Sequence, residues 1–188
     1  KIEYRIAHGR SQGDPKSLNL SKYNQRLQSV VGTLSQLIKQ YPDLDQIEGM
    51  YLNRAHAYTE LNQKSKAKAD LLWVSNRKTA SAWTVRANLS LGELAMKENN
   101  YLQAIAFLER VEKLPNDSHY PFALYQIGWS HYNLENIPKA IDYLKRQVRY
   151  YQAKAKANDS NELSAADRAL KEQSLRDMVA FYFSRYEK

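Results

Sequence analysis

Apolar and small residues recur along this chain on two scales, a helical one and a longer one that repeats it. Val30 with Leu34, Ala67 with Leu71, Ala104 with Leu108 and Ala140 with Leu144 form one motif, stepped by 37, 37 and 36 residues. Twelve residues before the last three motifs stands another small residue, Ala55, Gly92 or Gly128. A period of this length with helical spacing inside it marks a stack of supersecondary units. Each unit reads as a helical hairpin. Small residues mark the place where its two helices cross, since a larger side chain would push the axes apart. Leu71, Leu108 and Leu144 fill the space one turn on, each contributing roughly 1.5 to 3 kcal/mol when fully buried.

The third unit is the clearest, LYQIGWSHYNLENIPKAIDYL from Leu124 to Leu144. Asn136 is placed to cap its second helix, and Pro138 stands in the first turn, where a missing N–H costs nothing. The second unit, LGELAMKENNYLQAIAFL from Leu91 to Leu108, has Asn100 as the matching cap, and the first runs less regularly from Arg54 to Leu71. On Leu91-Gly92, Ile127-Gly128, Tyr58, Ala67, Ala104 and Ala140 the chain resembles the tetratricopeptide repeat family, whose unit is two antiparallel helices. The resemblance covers about residues 48–150. It departs from the family in a slightly long period, in Asn88 where a bulky apolar residue is expected and in Gln147 where a small one is. The expected fold is therefore all-α, a tetratricopeptide-like solenoid of helical hairpins.

Repeat units are placed near 48–83, 85–119 and 121–151, within a repeat region of 20–151. A lone helix over 21–41 precedes them. Its apolar positions Leu27, Val30, Val31, Leu34, Leu37 and Ile38 recur at helical spacing up to Pro42, as in the second helix of a unit whose first is missing. Residues 1–19, with Gly9, Gly13 and Pro15 and an alternating Ile2, Tyr4, Ile6, read as a loosely attached arm. A polar linker is expected at 152–162 and a long helix at 163–188, with Ser164 and Asp167 as its capping pair. Its buried stripe is expected to be Leu175, Met178, Val179, Tyr182 and Tyr186. Phe181 and Phe183 lie off that stripe, surplus aromatics for a further segment or a partner to cover.

Composition supports helices: 6 Gly and 5 Pro in 188 residues leave few breakers. There is no cysteine, which excludes disulfides, thiolate metal sites and cysteine nucleophiles. No run approaches the roughly 20 apolar residues that span a bilayer. Because the sequence opens on Lys1, it reads as a processed chain or a piece of a longer one. Lys and Arg number 28 against 20 Asp and Glu, so association with anionic partners is open but not specific.

Chemistry that would make an enzyme is not legible. His8, His56, His119 and His131 have no partner at metal-ligand spacing, Gly92 and Gly128 lie inside helices rather than in a phosphate loop, and Asp43 with Asp45 or Asp159 with Glu162 lacks the spacing of a calcium loop. Neither a metal nor a cofactor is expected.

By the resemblance, a protein or peptide partner is held by the first helices of successive units. The facing positions are Gly49, Leu52, His56 and Thr59, then Arg86, Leu89, Glu93 and Met96, then Phe122, Tyr125, Trp129 and Tyr132. The last four form an aromatic stripe, either a binding hot spot or the seat of the final helix. One family subtype grips carboxylate tails with Lys and Asn. Here Leu52, Leu89 and Tyr125 stand where Lys is wanted and His56, Glu93 and Trp129 where Asn is, so that mode is not expected. The alternative function rests on Lys145, Arg146, Arg149, Lys154 and Lys156 around Tyr150 and Tyr151, a basic and aromatic stretch that would touch nucleic acid or an anionic membrane surface. Nucleic acid is the less expected partner, since most lysine-rich stretches are solvated faces. The third unit and the SLRDMVAFYF stretch resemble segments of long repeat proteins of the proteobacterial cell envelope, which points to periplasm or envelope.

Overall fold

The computed structural model describes residues 20–78, 81–157 and 162–184. The expected N-terminal arm and Tyr186 lie outside them. Eight helices follow in order among the described residues: α1 (Leu20–Gln40), α2 (Ile47–Glu60), α3 (Lys64–Ser75), α4 (Ala82–Lys97), α5 (Tyr101–Glu112), α6 (Tyr120–Asn133), α7 (Ile137–Ala157) and α8 (Ala165–Ser184). No strand occurs among the described residues. Each helix packs on the one before it and the one after it. α2–α3, α4–α5 and α6–α7 are the three hairpins, and α7 continues well into the polar stretch 152–162.

Local chemistry explains where the helices begin and turn. Ser81 caps α4 in a capping box with Thr84, Asn100 caps α5 by accepting from the Gln103 N–H at 3.2 Å, and Asn136 caps α7 by accepting from the Lys139 N–H at 3.3 Å. Ser164 accepts from the Asp167 N–H at 3.1 Å before α8. Each hairpin turns through one left-handed residue, Asn62, Asn99 or Glu135, with φ near 57°, 56° and 59°. The following N–H then returns to Tyr58, Ala95 or His131 O at 2.8–2.9 Å, closing the first helix.

The helix crossings are as tight as the small residues imply. A Cβ on Gly92 would stand 2.7 Å from Leu108 Cγ, and one on Gly128 would stand 3.0 Å from Leu144 Cδ2 and 3.2 Å from Ala140 O. Ala55, Ala67, Ala104, Ala140, Leu108 and Leu144 are wholly buried. His131 packs within its hairpin, stacked on Tyr143 at 5.5 Å. Burial and nearby Lys139 push its pKa below the ordinary imidazole value.

Polar groups tie successive helices together inside this core. Arg54 of α2 makes two bonds of 2.7 Å to Asp70 of α3 and one of 3.0 Å to Ser35 of α1. Asn88, out of place for the family, is buried: it accepts from Ser75 Oγ at 2.8 Å and donates to Thr84 O at 2.8 Å, while Arg110 of α5 donates to the same Ser75 at 2.8 Å. Gln147 is buried too. It donates to Pro121 O at 3.0 Å and accepts from Ser174 Oγ, joining α6, α7 and α8. The two side-chain departures from the family pattern, Asn88 and Gln147, are thus satisfied buried hydrogen-bond nodes.

The final helix buries a different stripe from the one expected. Ser174, Asp177 and Phe181 are buried and Met178 packs beside them, whereas Leu175, Val179 and Tyr182 are 42%, 56% and 50% exposed. The more apolar stripe is not the buried one: the buried face carries Ser174 and Asp177 beside Met178 and Phe181. The contact with α6 decides this, because Phe181 enters its aromatic row and so turns Leu175 and Val179 outward.

Candidate functional site: the face of the first helices

α2, α4 and α6 lie in register, and α8 continues the row. One ladder shows this. Two residues before the small crossing position of a first helix, a polar side chain meets the residue one past that position on the preceding first helix. Ser90 Oγ lies 3.5 Å from His56 Nε2, Gln126 Nε2 donates to Glu93 Oε1 at 3.4 Å, and Asp177 Oδ2 accepts from Trp129 Nε1 at 3.2 Å. Counting from Asp177 in the same way puts Val179 at the crossing position, 51 residues beyond Gly128 rather than 36 or 37. A second contact agrees: Ser174 bonds Gln147 on α7, where Ala123 and Ala87 share core clusters with Val111 of α5 and Val74 of α3. α8 therefore takes the place of the first helix of a fourth unit.

The aromatic stripe of α6 lies beneath α8. Trp129 is 7% exposed, with Phe181 edge-on to it at 5.0 Å, and Tyr132 stacks on Phe181 at 4.0 Å. Tyr125 Oη donates to Asp177 Oδ2 at 2.8 Å, and Gln173 Nε2 supports the other carboxylate oxygen at 2.8 Å. Phe122 and Tyr125 are half-buried. Within the stripe, Tyr125, Trp129 and Tyr132 contact α8, and Phe122 packs on the core cluster of α4, α5 and α6.

Upstream the face is more open. Arg86, His56 and Thr59 are exposed, and Glu93 and Met96 half-buried. Leu52 and Leu89 belong to the core, and Gly49 lies under the Trp83 ring, 3.1 Å from where its Cβ would be. The guanidinium of Arg86 sits 5.7 Å from the Trp83 ring centroid. Partial loss of water pushes the His56 pKa below the ordinary imidazole value, Glu93 opposing and Arg86 reinforcing the shift. His56 is therefore neutral at neutral pH and can accept or donate through one nitrogen each.

The basic stretch of α7 is partly engaged within the fold. Arg146 pairs with Glu112 at 2.6 Å, Lys154 pairs with Asp167 at 2.7 Å, and Tyr151 is buried. Lys145, Arg149 and Lys156 remain exposed. No group of three or more His, Asp or Glu able to hold a metal occurs among the described residues, and no helix there is long and apolar enough to cross a membrane. Asp177, the polar anchor of α8, escaped the sequence reading; its only signal was a carboxylate between two apolar residues, Met178 and Leu175, one turn apart on the same helix.

Tetratricopeptide repeat models match residues 49–72, 85–118 and 122–152. No curated protein matches the chain. Among solved structures it is similar to TPR-like repeats of a candidate kinesin light chain from Podosopora anserina, at 14% identity and a TM-score of 0.64, covering 89% of this chain and 84% of that one. MamA is similar at 16% identity and a TM-score of 0.56, with 90% of this chain and 96% of that one covered. Three matched repeats, set on three hairpins with small residues at their crossings, show tetratricopeptide repeats in this part of the chain.

Proposed function

We propose that the chain is a non-enzymatic scaffold that holds a peptide or protein segment across the upstream part of its first-helix face. His56, Thr59, Arg86, Glu93 and Met96 are the contacting side chains in this reading. The observation that carries it is the difference in cover along one face: α8 seals the row at α6 and leaves the α2–α4 part open. Repeats of this family mediate protein–protein interaction, and the residues supply what such a contact uses, a cation, a carboxylate, a neutral imidazole and a polarizable thioether within two adjacent helices. Phe122, Tyr125 and Tyr132 add aromatic edges where the open part meets α8, while Leu89 and Trp129 support the surface from below.

Selection of a displayed peptide library on the full chain tests this. Arg86→Glu, at an exposed position, is expected to weaken the selected peptides by about tenfold or more, about 1.4 kcal/mol, with the thermal melt unchanged. Peptides that bind this variant as well as the parent, yet lose affinity on Lys145→Ala with Arg149→Ala, would move the site to the basic face of α7.

A further inference from the structure

Carboxylates that are drawn partly or wholly out of water are answered by the fold, with one exception among the described residues. Asp70 meets Arg54, Glu48 meets Arg77, Glu112 meets Arg146, Asp167 meets Lys154 and Asp117 meets His119, at 2.6–3.4 Å. Asp177 accepts three hydrogen bonds instead, from Tyr125, Trp129 and Gln173. Glu93, half-buried on α4, is the exception. Among the described residues its donor is Gln126 Nε2 at the long distance of 3.4 Å, and no cation stands within ion-pair distance of it. Gln126 is itself short of a partner: it is wholly buried, and its Oε1 has no donor. Turning the amide over gives no relief, since it sets oxygen against oxygen at Glu93 and leaves the NH2 group without an acceptor. A carboxylate and an amide oxygen therefore lie within about 6 Å of each other at the seam of α4 and α6, given the short span of an amide. Groups out of water in this state lack the donor that their desolvation calls for. One turn on, Met96 packs on the Trp129 cluster and offers a polarizable wall to an aliphatic stem.

We infer that this node seats a lysine or arginine side chain of the held segment, its cationic head between Glu93 and Gln126 Oε1 and its stem along Met96. The inference rests on the proposed binding face and names the chemistry of its partner: a peptide segment with one fixed basic residue. A cationic N–H group bridges two oxygens about 6 Å apart with bonds of about 2.8 Å each. Arg86 stands two turns before Glu93 on the same side of α4, about 10 Å away, which is roughly one Debye length at about 0.1 M salt. It therefore repels the seated cation little and reads a different residue of the segment. His56 reports on the node. The Glu93 carboxylate raises the His56 pKa against the effect of burial, so a cation that cancels this field makes the ring titrate at lower pH.

Selection of a random peptide library on the full chain, followed by glutamine scanning of the selected peptides, tests the inference. One Lys or Arg position is expected to be fixed, and its replacement by Gln to weaken binding by about tenfold or more. Against Glu93→Gln, a variant of nearly unchanged shape, the same replacement is expected to make little difference, because the pair is already broken. A second measurement needs no variant of the chain: in NMR titrations the His56 ring is expected to protonate at lower pH with the selected peptide than with its glutamine-substituted form. Peptides that weaken on Arg86→Glu yet have no fixed basic position, or that bind Glu93→Gln as tightly as the parent, overturn this inference and leave the proposed face standing. An unchanged His56 titration with the selected peptide overturns it too. Peptides indifferent to both Arg86→Glu and Glu93→Gln, or no selected peptide at all, remove the face and the inference together.

Discussion

The seam between α2 and α4 and the seam between α6 and α8 use the same positions of the repeat and are built from opposite materials. Upstream, His56 meets Ser90 at 3.5 Å beside exposed Arg86. Downstream, Trp129 and Tyr132 close on Phe181 while Asp177 takes hydrogen bonds from Tyr125 and Trp129. The difference follows from what each helix has besides its seam. α4 is held by its own hairpin partner α5 as well as by α3, so its contact with α2 at His56 and Ser90 can stay polar and open. α8 has no hairpin partner among the described residues, and its hold on the stack comes from α7 and the aromatic row of α6. Here Trp129, Tyr132 and Tyr125 of the aromatic stripe hold α8, which has no hairpin partner among the described residues.

Three substitutions sharpen or break this contrast. Phe181→Ala is expected to have the largest effect, about 3 kcal/mol or more in urea melts, as for other buried aromatics cut to alanine. A loss below about 1 kcal/mol would show that α8 docks without the aromatic seam. Asp177→Ala removes the acceptor of the Trp129 N–H and Tyr125 hydroxyl bonds across the seam and is expected to cost about 1–3 kcal/mol. Equal stability with faster amide exchange across α8 would mean that water enters the seam, which would then resemble the upstream one. Ser90→Ala is expected to change stability by less than about 0.5 kcal/mol. A larger loss would show that the polar ladder carries load along the whole row.

The hairpins were legible because their determinants lie close in sequence. Gly128 and Ala140 are twelve residues apart, Asn136 caps the helix that carries Ala140, and one period of 36 or 37 repeats the arrangement. α8 was legible as a helix but not as a fourth first helix. Its crossing position holds Val179 instead of a small residue, and the long α7 with the segment after it stretches the step to 51, so neither the motif nor the period survives.

What the sequence by itself determined is the class of the fold, the caps and the tight crossings, each a matter of backbone hydrogen bonding or steric fit between residues near one another along the chain. Tertiary structure alone decided which face α8 buries, that Trp129 lies under Phe181, and that Asn88 and Gln147 are satisfied by Ser75, Thr84, Pro121 and Ser174. Apart from the Thr84 carbonyl one turn before Asn88, these outcomes depend on partners tens of residues away or on another helix. Helical periodicity states that a face is apolar; only the neighbour placed against it determines whether that face is core, seam or open surface.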